Sequence, residues 1–187
     1  MKSSDEQLNT TLWQFCQSYL NTYQEKEVDF PLAEIDPHSS SPCEIKHVDE
    51  HNTTWQPIKI EQTLNFDNIR TALDIEIHDD VDTYFCSVYA NSIPAQCSDG
   101  KLTLLFAWNF EDFQRLQENI IGHIMMKKRM KQALTIFFAV TDEEDMILSI
   151  NNESGAIWVE QIGCEPHKKL ADSMSEFISS LSFSFSE

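Results

Sequence analysis

The chain has 187 residues, of which 41% are hydrophobic, which is enough to enclose a single core. Its 31 acidic and 13 basic residues give a formal net charge of −18, which argues against general binding to nucleic acids or anionic membranes and favours a basic partner. The acidic excess is concentrated in residues 1–99, which carry 18 acids and 5 bases. We therefore expect one acidic globular domain over residues 1–187.

The first half of the chain is predicted to begin with a helix over residues 5–24, where apolar residues recur at helical spacing. Residues 44–48 and 53–60 are typical of short strands, and a proline interrupts the second of them. A short helix is predicted over residues 65–74. Residues 83–90 are rich in aromatic and β-branched residues, which predicts a further strand.

The middle of the chain supplies two strongly apolar strands with a long helix between them. The strands are predicted over residues 101–107 and 134–140, because both runs are short, apolar and bounded by turn signals. The helix is predicted to begin after Asn109, a residue type that favours the N-cap position. Asp112 stands where a capping box places its second acceptor. This start is therefore well specified.

The helical repeat divides this helix into three sides. The apolar side, expected to meet the sheet, consists of Phe113, Leu116, Gln117, Ile120 and Ile124. The opposite side, expected to face solvent, consists of Glu111, Arg115, Glu118 and Gly122. A narrow strip at the boundary between core and solvent contains Asp112, Asn119 and His123. We interpret this strip as a candidate contact for a partner.

The last part of the chain predicts an antiparallel meander followed by a helix. Residues 146–151 and 156–161 alternate in polarity and are separated by turn residues. Residues 166–181 are predicted to form the closing helix, after which the tail frays or extends a sheet edge. Clustered strands with separate helices predict an α+β fold, with a single mainly antiparallel sheet and helices packed on one side. The other face would form a concave surface.

The cysteines and the apolar runs indicate where the protein resides. The five cysteines contain no Cys-x-x-Cys pair, and the first residues lack an apolar secretion signal. The longest apolar runs are far too short to cross a bilayer. We therefore expect a cytoplasmic protein with reduced thiols, whose association with a membrane depends on a protein partner.

One spacing invites a metal-binding interpretation. Cys43, His47 and His51 could place three ligands around zinc. The pattern crosses a predicted strand and lacks a fourth ligand, so surface histidines near a buried thiol explain it better. The chain also has only four glycines and no phosphate-binding motif. We expect no metal and no cofactor.

Charged runs are better explained by helix ends and turns than by chemistry. The acids at positions 79–82, 111–112 and 142–145 could form catalytic pairs, but they stand where carboxylates stabilise helix starts or remain hydrated. The only basic cluster, residues 127–131, is typical of a helix end, where cations complement exposed carbonyl groups. No activated nucleophile accompanies either set, so an enzyme is not expected.

Several segments of the chain closely resemble the Syd family of SecY-interacting proteins, within the SUKH superfamily. They are TWQP at 54–57, KLTLL at 101–105, the block from Trp108 to His123, and TIFFAVTDEE at 135–144. The resemblance implies an α+β fold without catalytic activity, whose acidic concave face binds basic loops on the cytoplasmic side of the SecY translocation channel. It also implies a peripheral location on the inner membrane and a role in checking assembly of the channel complex.

The candidate partner-binding residues are polar or aromatic positions in these segments or beside the predicted face. They are Trp55, Asp79, Tyr84, Asp99, Trp108, Glu111, Asp112, Glu118, Asn119, His123 and Glu144. A different class of protein stays open, because SUKH relatives include immunity proteins that bind toxic enzymes. An acidic surface could imitate nucleic acid toward a nuclease, so binding of a soluble nuclease would distinguish the two functions.

Overall fold

The computed structural model describes residues 2–27 and 29–185, without the side chains of residues 2–4. The helices in these ranges are α1 (Lys2–Glu27), α2 (Asp67–Leu73), α3 (Asp79–Phe85), α4 (Phe110–Met130) and α5 (Met174–Ser180). The strands of the first half are β1 (Leu32–Glu34), β2 (Glu44–His47), β3 (Asn52–Trp55), β4 (Ile58–Lys59), β5 (Val88–Tyr89) and β6 (Ile93–Cys97). Those of the second half are β7 (Gly100–Leu104), β8 (Thr135–Thr141), β9 (Met146–Asn151), β10 (Ile157–Gln161), β11 (Lys168–Ala171) and β12 (Ser182–Phe183).

Most of the strands form one antiparallel sheet. Its seven strands lie in the order β11-β10-β9-β8-β7-β6-β12, and every neighbouring pair is antiparallel. Strands β1, β3 and β2 form a separate three-stranded sheet, and β4 pairs with β5. The predicted meander is confirmed, because β8, β9 and β10 are consecutive in both sequence and space.

The first helix covers part of the core. The predicted helix over residues 5–24 is confirmed and extends over Lys2–Glu27. Its stripe of Leu8, Leu12, Phe15 and Tyr19 is buried. The helix packs against α3 and α5, where Thr11 Oγ1 lies 3.3 Å from Ser175 Oγ. Apolar burial therefore joins the two ends of the chain.

The start of α4 agrees with the sequence prediction, apart from one detail of the cap. The Asp112 N–H donates to Asn109 Oδ1 over 2.9 Å, which makes Asn109 the N-cap. The Asp112 carboxylate accepts a hydrogen bond from the Trp108 N–H, also at 2.9 Å. In a capping box, the backbone N–H of the N-cap residue itself would donate the hydrogen bond to this carboxylate. Asp112 thus fixes the residue before the cap.

Both faces of the central strands are buried. In β9, residues 147–150 are each 6% exposed or less. On one face, the His123 ring of α4 packs edge-on against Phe137, with centroids 5.6 Å apart. On the other, the Phe177 ring of α5 lies 5.7 Å from that of Phe138. The α+β class and the antiparallel sheet are confirmed, whereas helices contact both faces of the sheet rather than one.

The predicted strand over residues 83–90 is wrong, because most of it belongs to α3. The His78 side chain accepts a hydrogen bond from the Asp80 N–H at 3.2 Å and so caps this helix. Val81, Tyr84 and Phe85 are buried at helical spacing. The cap and the buried stripe outweigh the strand preference of the aromatic residues, and only β5 remains extended.

The predicted strand over residues 53–60 is divided between two sheets. β3 pairs with β1 and β2, whereas β4 pairs with β5. Pro57 lies between them and has no N–H to donate to a sheet ladder. The chain therefore changes sheets at this proline.

The predicted closing helix over residues 166–181 is wrong in its first half. Residues Lys168–Ala171 form β11, which pairs with β10 at the edge of the large sheet. The helix begins only after Ser173, whose Oγ accepts a hydrogen bond from the Glu176 N–H at 3.2 Å. The tail extends the opposite edge, as β12 pairs with β6.

Candidate partner-binding surface

The loop between β1 and β2 packs on the start of α4 and leaves the first residues of the helix open to solvent. Asn109 Nδ2 donates to Ser39 Oγ at 2.8 Å and to the Ser40 carbonyl at 3.0 Å. Asn109 is 3% exposed, whereas Phe110 next to it is 44% exposed. Glu111 is also exposed. The loop thus orients the helix start, which presents one aromatic ring and one carboxylate.

An open pocket of about 480 Å³ lies beside this helix start. Its apolar lining comes from Pro42, Ile58, Ile60, Tyr89 and Phe110, and its charged residues are Lys59, Glu61 and Glu111. The Lys59 ammonium lies 4.9 Å from the centroid of the Trp13 ring, which gives that cation a partner. Two carboxylates beside apolar walls suit a long cationic side chain, whose stem needs apolar contact and whose head needs an acceptor.

Tyr89 is the ionisable hydroxyl in this pocket. Burial is the main cause of its raised pKa, and the hydrogen bond that it accepts from Gln62 opposes the rise. The carboxylate of Glu111 adds a smaller contribution in the same direction as burial. We refer to Glu61, Glu111, Tyr89 and Phe110 with their neighbours in this lining as the α4-start pocket.

A second concavity lies where the large sheet curls. Lys168 of β11 forms an ion pair with Asp99 in the turn between β6 and β7, although these strands lie far apart in the sheet order. The hydrogen bond from Lys168 lowers the pKa of Asp99. The pocket beneath, of about 190 Å³, contains the carboxylates of Asp99, Asp142 and Glu143 and the ammonium groups of Lys101 and Lys168. Its lining is therefore of mixed charge.

The predicted site residues fall into separate places. Glu111, Glu118 and Asn119 are exposed on α4, and Asp112 is half-buried there. Asp79 is exposed in the first turn of α3. Asp99 and Glu144 are exposed in the turns that follow β6 and β8. The structure brings Trp108 and Asp112 together through their hydrogen bond, but it distributes the other acids over several elements.

Two aromatic candidates are structural, which corrects their placement beside a binding face. Trp55 is 1% exposed; its ring stacks on Tyr19 at 6.1 Å and packs against the half-buried Trp108 at 5.9 Å. Tyr84 is 0% exposed, and its ring lies 5.2 Å from that of Phe106. These two side chains fill the core and are not presented to a partner.

His123 also belongs to the interior, where it joins a buried polar cluster. His123 Nε2 lies 3.0 Å from Thr135 Oγ1 and 3.3 Å from Glu160 Oε1. Lys127 Nζ lies 3.3 Å from Glu160 Oε2 and donates to the Cys164 carbonyl at 2.8 Å. The side chains of Lys127 and Glu160 are both 0% exposed. This cluster ties α4 to β8, β10 and the turn after β10.

The cluster keeps its carboxylate charged. Burial alone would raise the pKa of Glu160, but the hydrogen bond from His123 and the positive charge of Lys127 together lower it. Lys127, which the sequence predicts as a helix-end cation, instead pairs with Glu160 in the interior. Helical spacing contained the signal, since Lys127 follows Ile120 by two turns and Ile124 by one, on the buried side of α4.

The spacing of Cys43, His47 and His51 does not bring three metal ligands together. Cys43 is 0% exposed, whereas His47 and His51 are exposed. Within residues 2–27 and 29–185, no three His, Cys, Asp or Glu side chains are placed to hold a metal ion. The His47 ring instead lies 3.2 Å from the Glu44 carboxylate.

The burial of each cysteine side chain predicts how fast its thiol reacts with a maleimide. Burial raises the pKa of Cys43 and of Cys86 to about 12, and it also raises the pKa of Cys16. Because the thiolate is the reactive form, we expect a maleimide at pH 8 to label the exposed Cys164 rapidly, the half-buried Cys86 slowly, and the buried Cys16 and Cys43 only on unfolding. Mass spectrometry of timed samples measures this, and rapid labelling of Cys16 or Cys43 in the folded protein would contradict the burial described here.

Together these features define an acidic α+β protein whose exposed carboxylates are distributed over several elements. The chain belongs to the Syd family, since the family model described as Syd protein (SUKH-2) matches residues 9–182. The resemblance found in the sequence is thereby confirmed. Among the helices of the described ranges, none is long and apolar enough to cross a membrane.

Curated relatives support this assignment over most of the chain. Protein Syd of Colwellia psychrerythraea is 47% identical, and the match covers 97% of this chain and 95% of that protein. Protein Syd of Pseudoalteromonas atlantica is 41% identical over 78% of this chain and 80% of its own length. Protein Syd of Shewanella denitrificans is 38% identical over 93% of this chain and 81% of its own length.

Proposed function

We propose that this protein binds the cytoplasmic side of the SecY translocation channel and checks assembly of the channel complex, without catalysing a reaction. The observation that carries the proposal is membership of the Syd family over residues 9–182. The formal net charge of −18 supports it, because a strongly acidic protein is attracted to Lys- and Arg-rich loops. The protein would reach the membrane through this partner and stay peripheral to it.

The α4-start pocket is the part of the surface that best suits such a loop. Glu61 and Glu111 offer acceptors to an arginine or lysine head, while Ile60 and Phe110 offer apolar contact to its stem. The exposed acids Asp79, Asp99, Glu118 and Glu144, with Asn119, would add to the long-range attraction. In this mechanism the net charge speeds the encounter, and the pocket holds one cationic side chain after docking.

The test is binding of the purified protein to inverted membrane vesicles that contain or lack SecY. We expect binding only to vesicles with SecY, weakening between low and physiological ionic strength as the Debye length falls to about 8 Å. The association rate should fall most, since electrostatic steering acts on the encounter. Equal binding to SecY-depleted vesicles would contradict the proposal. Binding of a soluble nuclease instead would favour an immunity protein.

Charge reversal in the pocket separates a local contact from net charge. The double variant Glu61→Lys and Glu111→Lys should bind SecY vesicles at least about tenfold more weakly, because like charges would meet at the docked loop. The control is Glu25→Lys with Glu153→Lys, which makes the same change in net charge at exposed positions outside the pocket. An equal loss in both variants would assign binding to net charge alone and remove the pocket from the mechanism.

A further inference from the structure

The outward side of α4 carries a row of residues that the folded chain leaves uncovered. The row consists of Glu118, Gly122, Met125 and Arg129. These residues follow one another after four, three and four positions, so they lie within about 60° on the helix surface. All four are exposed, and Met125 is 55% exposed. We call them the outer row of α4.

The apolar part of this row continues onto neighbouring methionines. A shallow groove of about 490 Å³ runs along the helix and is lined by Gly122, Met125, Met126, Arg129 and Met130. Met130 is 48% exposed. Methionine side chains adapt to irregular surfaces, so they are common where proteins associate. The groove therefore presents an adaptable apolar surface to solvent.

Gly122 has no role in the packing of a single copy. A Cβ added at this position would meet no atom within 4 Å, so the folded chain leaves room for a side chain. A glycine in the interior of a helix is less favourable than alanine, because the unfolded chain loses more conformational freedom. A glycine here does allow the backbone of another helix to approach closely.

The two charged residues at the ends of the row have opposite signs. Neither Glu118 nor Arg129 forms an ion pair with any other residue that the structure describes. They are separated by about 16.5 Å along the helix axis, which is too far for them to pair with each other. Along the helix, the midpoint between Glu118 and Arg129 lies between residues 123 and 124, and the midpoint between Gly122 and Met125 lies at the same place. If a second copy of the helix runs antiparallel about this point, Glu118 faces Arg129 and Gly122 faces Met125. The row is therefore complementary to the same row on an antiparallel copy.

We propose that α4 is the contact between two copies of this chain, packed antiparallel about a two-fold axis near residues 123 and 124. Glu118 of each copy then meets Arg129 of the other, and Met125 of each packs over Gly122 of the other. Lys128 and Lys131 are exposed at the same end of the helix and reduce the repulsion between two acidic chains there. A contact of one helix from each copy buries little surface, so the dimer is weak.

The self-association is measured by sedimentation equilibrium of the purified protein alone, at physiological ionic strength and from about 10 μM to about 1 mM. We expect the average mass to rise with concentration from 21.6 kDa toward twice that value. The variants Glu118→Arg and Arg129→Glu should each weaken the dimer at least about tenfold, because each places two pairs of like charges in contact.

The decisive sample is an equal mixture of the two reversed variants. A copy with Glu118→Arg carries two positive ends, and a copy with Arg129→Glu carries two negative ends, so the mixture should form a heterodimer where neither variant alone dimerises. Glu153→Arg serves as the control for Glu118→Arg, since it makes the same change in net charge at an exposed residue in the turn between β9 and β10. It should leave self-association within about twofold of the wild type.

The results can overturn the proposal at each step. A wild-type protein that stays monomeric at the highest concentration excludes the proposed dimer. A dimer that survives both reversals, or a mixture that stays monomeric while its components are folded by circular dichroism, places the contact elsewhere. Because SecY is absent from these samples, the outcome is independent of the proposed function.

Discussion

Glu160→Ala is expected to lower the free energy of unfolding by about 3 to 5 kcal/mol, since it leaves the Lys127 ammonium buried without a carboxylate. The Lys127 and Glu160 side chains are both 0% exposed and lie 3.3 Å apart. Removal of the carboxylate also leaves Thr135 Oγ1 without its acceptor at 3.1 Å. Urea unfolding monitored by circular dichroism measures the loss.

The control for this variant removes both charges. Lys127→Met with Glu160→Leu should be much less destabilising than Glu160→Ala, because two apolar side chains leave no buried charge. The single variants Lys127→Met and Glu160→Leu complete a double-mutant cycle, which gives the coupling between the two residues. A loss below about 1 kcal/mol for Glu160→Ala would mean that the charges are hydrated in solution and that the cluster does not hold α4 on the sheet.

Phe138→Ala is expected to cost about 3 to 5 kcal/mol, as for other large-to-small changes of a buried aromatic residue. Phe138 is 0% exposed, and its ring lies 5.5 Å from Tyr84 and 5.7 Å from Phe177. The cavity would therefore weaken the packing of α3 and α5 on the sheet. Val140→Ala in the same strand is the matched control, because Val140 is 39% exposed and should change stability by less than about 1 kcal/mol.

The two variants of β8 also separate stability from binding. Neither Phe138 nor Val140 lines the α4-start pocket. Each variant that remains folded should therefore bind SecY vesicles with the affinity of the wild type, per folded molecule. An affinity loss that exceeds the loss of folded protein would show that the core of the sheet shapes the binding surface.

Local sequence determined the elements whose stability depends on neighbours along the chain. Asn109 and Asp112 specify the start of α4, and the helical spacing of its apolar residues specifies which side is buried. The strands of the meander were predicted within one residue at each end, because alternation and turn residues act locally. The net charge and the Syd resemblance were likewise available from the sequence alone.

Tertiary contacts decided the elements for which local preferences compete. Residues 83–85 favour a strand by composition, but the His78 cap and burial against the core make them helical. β6 contains Pro94 and was not predicted, yet pairing with β7 and β12 holds it extended. Residues 168–171 form a strand because the edge of β10 offers backbone partners, which a helical pattern in the sequence does not reveal.

The distinction between local sequence and tertiary contacts also applies to the candidate partner-binding surface. The sequence identified exposed acids on α4, since side chains opposite an apolar stripe face solvent. It could not place Glu61 beside Glu111, or Glu160 beside Lys127, because each pair is separated by many residues and meets only through packing. Charge and local pattern thus indicated an acidic α+β protein, and the resemblance indicated its family, whereas the fold alone decided which charges are exposed and which are buried.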